Sequence, residues 1–544
     1  MTARPLRLGD HSDVQRSLTG YALTAALAGG VALATMLVIF WGTHPLGPGL
    51  YGDGAGYMSA AQSLARSGEL RVIGAPYWSA DSTKFMAQWA PGFSVALAIP
   101  LWAGSGLLPA VAIVQMLSAA ATAIVTALLV ARPLGTIWGV LAAVATALTP
   151  AILGAQLNVV SEPLYVAGLA LLLLAMTARP KNSLAAGVIA ACLVLVRYLG
   201  MAAIAGAGIW SALQPGPHSR RWRRTAIAVS PGVAAYAVWM QIVRRHAGEE
   251  PRVVIDHHLV GIARRMIGAT GAWLAPWDAG RSWLHVAAKV ATVALVLGAG
   301  ALVLLRPPKS WSESRHGKAI APFQPDRARQ LMAAAALLLA CHLAMIFASQ
   351  ALDSAVEFSS RMFAPVHYLL TVMAVTALGT AWQVRHRARL LATAAAAIVF
   401  AGSTWKTAEL LRESRTVGID HARPEERLSP TLAWLRTRGR GLPIYANEPA
   451  KIYFHLQRPA RVLPWIVTAD TLRHLDQVLH DRPGYVVWFT AGRAESYVPG
   501  SLLREALTPD KLTSAIPLAV VAEFADGVIW IRDSTATRAT KPVT

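Results

Sequence analysis

Residues 107–130 read LLPAVAIVQMLSAAATAIVTALLV, without one charged side chain. A helix needs about 20 predominantly apolar residues to cross a bilayer, so this run can span by itself. Similar runs recur on both sides of it as far as residue 407. Of the 544 residues, 55% are apolar and 15% charged, and the mean hydropathy is +0.44. A soluble domain carries about 25% charge. An ordinary soluble enzyme, a disordered chain and a disulfide scaffold are therefore excluded, and an α-helical polytopic membrane protein is predicted. Cys192 and Cys341 lie far apart inside apolar runs and suggest neither a disulfide framework nor a zinc site. A net charge of +21 would direct a soluble protein toward nucleic acid. Here the basic residues cluster in short loops between apolar runs, where they set membrane orientation, and no nucleic-acid partner is expected.

Working outward from 107–130, the loop charges order the other runs. Arg4, Arg7 and Arg16 precede the run 21–41, which is too long for a signal-peptide core. It reads as a retained first span with a cytoplasmic N-terminus. Residues 42–92 then form an extracytoplasmic loop, long enough to suggest a function. The run 93–103 falls short of the about 17 residues a span needs and predicts a helix dipping into the outer leaflet. Spans at 134–153 and 163–178 put Asn158, Ser161 and Glu162 outside, with Arg132, Arg179 and Lys181 inside. Residues 183–213 are too many for one upright span, yet basic residues flank both ends. That predicts two short helices with Arg197 at their apex. A mid-membrane arginine costs roughly 2.5–3.5 kcal/mol on insertion scales, which a turn facing a wet cavity relieves. Further spans at 226–242, 283–305, 331–351, 362–382 and 390–405 bring the total to about eleven and put the C-terminus outside. A second outer loop at 243–282 offers Trp273 and Trp277, with Trp283 at its edge, as interface anchors.

Past the transmembrane domain, 1–407, the composition changes. Strand-like runs at 442–446, 485–490, 519–524 and 528–532, with helical patterns at 429–436 and 471–479, predict an extracytoplasmic α/β domain over 408–544. It contains no GxGxxG or GxxxxGKS phosphate loop.

The first outer loop holds the sharpest chemical signal, YGDGAGYMSAAQSLA at 51–65. Asp53 and Tyr57 are four residues apart at the start of an amphipathic helix. A carboxylate there is placed for chemistry on a lipid-linked substrate, or simply caps the helix. The loop continues KFMAQWAPG at 84–92, where Pro91 suits a helix start. Lys84 can snorkel to headgroups or bind phosphate. In NVVSEPLY at 158–165, Glu162 is a second carboxylate or a helix-dipole acid. Arg197-Tyr198 is a functional hypothesis by position alone. In EFSSRMFAP at 357–365, Arg361 opens a span, as a phosphate ligand or an interface arginine. The fragment Asp256-His257-His258 offers transition-metal ligand types, but adjacent side chains on a helix diverge, which favours an ordinary loop fragment.

These residues, in this order and on one membrane side, resemble the lipid-phosphate-dependent glycosyltransferases of the GT-C fold. The similar branches are protein O-mannosyltransferases, bacterial aminoarabinose transferases and the lipopolysaccharide-core sugar transferases of rhizobia. The resemblance covers about three quarters of the chain. The family's first loop carries an acidic motif with a following tyrosine. Asp53 and Tyr57 match it, and Gly54 stands where a second acid is common. Residues 84–91 resemble the lysine- and proline-containing segment before the short helix. Glu162 resembles the second-loop acid, and Arg197 and Arg361 resemble basic residues over the donor phosphate.

The resemblance implies an inverting transfer of sugar from a polyprenyl-phosphate donor to a lipid, glycan or protein acceptor, in a bacterial inner membrane. Asp53 and Glu162 would be the catalytic carboxylates. Lys84, Arg197 and Arg361 would hold the donor phosphate. Tyr57, Gln88, Trp89, Asn158 and Tyr198 would line the substrate site. A divalent cation between Asp53 and Glu162 is known in the fold class, but hard cations want about six oxygen ligands, and no cofactor is expected. A transporter or flippase of lipid-linked sugars is the alternative. Transporters often show paired broken spans. One candidate, 183–213, is present here and no partner segment. A membrane scaffold is a third reading.

Overall fold

The computed structural model describes residues 11–50, 52–178, 182–246, 259–273, 324–352, 360–384, 386–490 and 505–533. In chain order the helical part contains α1 (His11–Thr43), α2 (Gly52–Ser67), β1 (Arg71–Ile73), β2 (Thr83–Phe85), α3 (Gly92–Trp102), α4 (Leu107–Leu134), α5 (Thr136–Ala147) and α6 (Pro150–Gln156). It continues with α7 (Glu162–Ala178), α8 (Ser183–Val196), α9 (Gly200–Leu213), α10 (His218–His246), α11 (Leu259–Gly271), α12 (Pro325–Leu352), α13 (Ala364–Val384) and α14 (His386–Thr416).

The chain is a multi-pass integral membrane protein. Five described helices are long and apolar enough to cross a bilayer: Gly20–Thr43, Leu107–Leu134, His218–His246, Pro325–Leu352 and Arg361–Gln383. The expected count of about eleven spans is not confirmed. The run 134–153 is not one straight helix, since α5 and α6 meet at a 62° bend. Proline has no N–H to continue the α5 ladder, and Pro150 leaves Thr149 extended, with ψ at 115°. Helices α7, α8 and α9 have 17, 14 and 14 residues, short for an upright crossing. The run 283–305 and the fragment Asp256-His257-His258 lie outside the described residues. So do Trp277 and Trp283. Trp273 is buried and donates to Thr371 Oγ1 at 2.9 Å. It packs on α13 instead of anchoring at an interface.

The segment 183–213 divides as its flanking charges predict, with the break at 197–199. Arg197 is extended there, with φ −152° and ψ 141°. Gly200 permits the reversal, because a Cβ at this position would lie 2.3 Å from Val194 N and 2.4 Å from its Cα. Both are backbone atoms that cannot rotate away. Gly200→Ala is therefore expected to destabilise the protein by about 1–3 kcal/mol. Thermal unfolding of the purified protein reads this directly, and an unchanged midpoint would show that the break relaxes without strain.

Helices α7, α8, α9, α12 and α13 share one apolar core that includes Tyr165, Leu169, Leu193, Leu338 and Tyr368. A second core lies under α2, α3 and the β1–β2 hairpin, built from Tyr57, Met58, Val72, Met86, Phe93 and Leu97. Pro91 is the cap residue before α3, as its position suggests.

The C-terminal part is a mixed five-stranded sheet. Its strands are β3 (Ile444–Ala446), β4 (Arg461–Val462), β5 (Tyr485–Phe489), β6 (Leu518–Phe524) and β7 (Gly527–Arg532). Their order is β4-β3-β5-β7-β6. The first three are parallel and the last two antiparallel. The connecting helices are α15 (Pro424–Arg427), α16 (Pro430–Thr437), α17 (Pro449–Leu456), α18 (Ala469–Asp481) and α19 (Pro509–Ala515). Ser429, Thr468 and Thr508 cap α16, α18 and α19 by accepting from backbone N–H groups, as helix starts require.

This sheet grips the loop between α1 and α3. Val462 N donates to Ala75 O at 2.9 Å, and Arg461 Nε to Ser79 O at 3.1 Å. Arg482 Nη1 reaches the same Ser79 carbonyl at 2.8 Å. Tyr453 OH donates to Gln62 Oε1 on α2 at 2.8 Å. Leu50 pairs with Asp420, three positions before Asp53.

Two titratable groups make the stability of this C-terminal part depend on pH. Burial holds His455 neutral, down to about 4, with the His421 charge acting the same way and Glu426 opposing. Burial works to raise the Glu426 carboxyl, but the nearby His421 and Lys451 outweigh it and hold it at about 2. Lys451 Nζ lies 2.7 Å from Glu426 Oε2. In both cases the unfolded chain binds more protons, so stability rises with pH across each window. The His455 contribution is lost as pH falls from about 6.5 to about 4, and the Glu426 contribution below about 4.5. Hydrogen exchange across 444–489 is expected to quicken as pH falls below 6.5 after correction for its intrinsic rate. His455→Leu should flatten that first step, and an unchanged profile in the variant would contradict the assignment.

Candidate active site

Helix α2 begins at Gly52, so Asp53 sits in its first turn, and Tyr57 lies one turn on along the same face. Asp53 Oδ2 accepts from Arg361 Nη2 at 2.8 Å. Arg361 reaches it from the short 3₁₀ turn Ser360–Phe363 that leads into α13. The two side chains are 38% and 17% exposed, so this pair faces an accessible space.

A second pair lies deeper. Glu162 opens α7 and is 1% exposed. Its Oε1 is 2.8 Å from Arg197 Nη1, in the break between α8 and α9. The same Nη1 donates to Ser161 Oγ at 3.0 Å. Ser161 Oγ lies 3.4 Å from Tyr57 OH, which connects the deep pair to α2. Neither Glu162 oxygen has a hydrogen-bond partner among the described residues, so Arg197 meets this carboxylate as an ion pair. Burial raises the Tyr57 phenol above its ordinary value; Arg197 opposes this, and Asp53 and Glu162 reinforce it. Tyr57 is thus a neutral hydroxyl placed among all three charges.

The ring of Tyr57 is held by Phe93, edge-on at 5.1 Å, and by Trp89 at 5.9 Å. Trp89 can approach because residue 56 is glycine; a Cβ there would lie 2.6 Å from Trp89 Cζ3. Ser94 Oγ donates to the Tyr57 carbonyl at 3.1 Å. Tyr198 OH donates to Ala87 O at 3.2 Å and accepts from Trp239 Nε1 at 3.0 Å, so the break at 197–199 is tied to the segment 84–91. Phe85 stacks on His246 at 4.9 Å from the end of α10. Lys84, on β2 opposite Val72, is half-buried in this same segment.

The structure thus brings Asp53, Tyr57, Glu162, Arg197 and Arg361 into one cluster, with Trp89 against it and Tyr198 on its flank. Gln88 is exposed beside Trp89. Asn158 is buried; its Nδ2 donates to Gly154 O at 2.6 Å and its carbonyl accepts from Gln115 at 2.7 Å, so it closes the end of α6. Sequence reading did not single out Ser161 or Trp239 as members of the site. Ser161 stood only as part of the 158–165 stretch, and nothing in the local sequence marks Trp239, since each acts on a partner far away in the chain. Among the described residues, no three His, Cys, Asp or Glu side chains converge as a metal site requires.

The arrangement has two carboxylates and two guanidiniums drawn from four separate segments, one pair accessible and one buried. An added phosphate would meet planar donor forks suited to binding it.

No family model and no curated protein sequence matches the chain. Among solved structures, ArnT from Cupriavidus metallidurans bound to undecaprenyl phosphate matches over 93% of this chain and 98% of its own, at 14% identity and a TM-score of 0.52. The arabinofuranosyltransferase AftD from Mycobacteria matches over 93% of this chain and 41% of its own, at 15% identity and a TM-score of 0.53. The chain shares the ArnT-like GT-C fold.

Proposed function

We propose that the protein is an inverting glycosyltransferase that moves a sugar from a polyprenyl-phosphate donor to an acceptor at the extracytoplasmic membrane face. The observation that carries this is the accessible Asp53–Arg361 pair beside the buried Glu162–Arg197 pair. A polyprenyl-phosphate sugar already carries its leaving group. The protein must orient an acceptor hydroxyl, take its proton and hold the departing phosphate. Asp53 is the base that takes the acceptor hydroxyl's proton, and the acceptor oxygen attacks the anomeric carbon from the face opposite the departing phosphate. Arg361 and Arg197, with Lys84, neutralise the phosphate. Glu162, too buried to meet an acceptor, holds Arg197 in place. The undecaprenyl phosphate bound to ArnT supports a polyprenyl-phosphate ligand here. In this reading the N-terminus is cytoplasmic, α3 dips into the outer leaflet, and the short helices complete a topology of about eleven crossings.

Donor binding tests the reading. The purified protein is expected to bind undecaprenyl phosphate saturably in detergent. Arg361→Ala should weaken that affinity about tenfold or more, the scale of a lost charge-assisted hydrogen bond. Equal affinity in the variant would remove Arg361 from the phosphate site.

A further inference from the structure

We infer that Tyr165 is a positioning residue for Arg197. The inference rests on the reading of Arg197 as a phosphate-binding group. Tyr165 lies on α7 one turn after Glu162 and is fully buried. Its one hydroxyl proton is shared between the Leu199 carbonyl at 3.2 Å, two residues beyond Arg197 in the break, and the His342 ring, whose Nδ1 is committed to Leu338 O at 2.7 Å. On its other side the phenol oxygen lies 2.9 Å from Nε2 of His342, a fully buried residue of α12.

The placement has a mechanical consequence. Arg197 ends the α8 ladder, its N–H donating to Leu193 O at 3.0 Å and its carbonyl accepting from Gly200 N at 2.8 Å, but the turn beyond it and the long side chain need further anchors to fix the direction of the guanidinium. The start of α7 holds Arg197 at both ends. Ser161 and Glu162 take the guanidinium at 3.0 and 2.8 Å. Tyr165 takes the backbone of the same turn. A buried hydroxyl is unfavourable unless it is hydrogen-bonded, and phenylalanine would fill this apolar core without that penalty. The hydroxyl therefore has a job that packing does not explain. It sets the distance between the turn and α7, and with it the direction in which Arg197 presents its donors. The tie from α12 through His342 extends this brace to a third helix.

The test compares wild type, Tyr165→Phe, Arg197→Lys and the double variant, all as full-length protein in detergent. Phenylglyoxal labelling of Arg197, read by peptide mass spectrometry, reports how firmly the guanidinium is held. Undecaprenyl phosphate affinity reports the consequence, and thermal unfolding confirms the fold. Tyr165→Phe is expected to label Arg197 several times faster and to bind the lipid roughly three- to tenfold more weakly, the effect of one hydrogen bond, while still unfolding in one cooperative transition, at a midpoint lowered by the unpaired His342 Nε2. In the Arg197→Lys background, Tyr165→Phe should change affinity no further. Unchanged Arg197 labelling in folded Tyr165→Phe would overturn the inference, as would an equal loss of affinity in both backgrounds. Faster labelling in a protein whose wild type binds no lipid phosphate would keep the brace and remove the donor reading.

Discussion

Asp53→Asn is expected to lower sugar transfer about a thousandfold while the protein stays folded and keeps its donor affinity within a few fold. A positioned general base contributes typically about 10²–10⁴ in rate. Asparagine keeps the shape of the side chain and its place in the first turn of α2, but it cannot take the acceptor's proton. The loss should fall on kcat, because phosphate binding rests on other groups. The Asp53–Arg361 pair is partly exposed, and such pairs contribute little to stability, so a folded variant is anticipated. Single-turnover transfer with saturating donor is the measurement. Undiminished turnover in the variant would take Asp53 out of the chemistry.

Arg197→Ala should have the largest effect on stability. It would leave Glu162, 1% exposed, as a buried carboxylate without its counter-charge. Breaking a buried pair by removing one partner costs about 3–5 kcal/mol. Poor yield and a lowered Tm are expected of the single variant. The double variant Glu162→Gln/Arg197→Gln removes both charges and should recover most of the stability. It should not recover transfer, because no guanidinium remains to meet the phosphate at that point. Recovery of both stability and transfer would reduce the pair to a structural role.

These two pairs differ in how far they could be read in advance. Arg197 announced itself, since an arginine inside a long apolar segment is costly and the flanking charges forced a break near it. The break at 197–199 follows from that reasoning. The Asp53–Tyr57 spacing likewise put both residues at the start of an amphipathic helix. The partner choices were not legible. Asp53 and Arg361 meet across 308 positions of chain, and no local pattern encodes that. The apolar run 134–153 looks continuous in composition, and only the backbone chemistry of Pro150 bends it. Trp273 had the composition of an interface anchor but was drawn into the core by a hydrogen bond to Thr371. In the C-terminal domain β3, β5, β6, β7, α16 and α18 were visible as patterns, while the two-residue β4 and the short helices α15, α17 and α19 were not. Nor was the domain's grip on residues 75–80, because main-chain carbonyls receive the hydrogen bonds and their sequence is silent about it.

The most direct test of the proposed chemistry uses radiolabelled polyprenyl-phosphate sugars with the purified protein and a membrane extract as the source of acceptors. Transfer of label from lipid to acceptor is predicted for at least one donor, with inversion at the anomeric carbon and dependence on Asp53. A folded protein that binds the lipid phosphate yet releases sugar from no donor would contradict the account and favour a carrier of lipid-linked sugars.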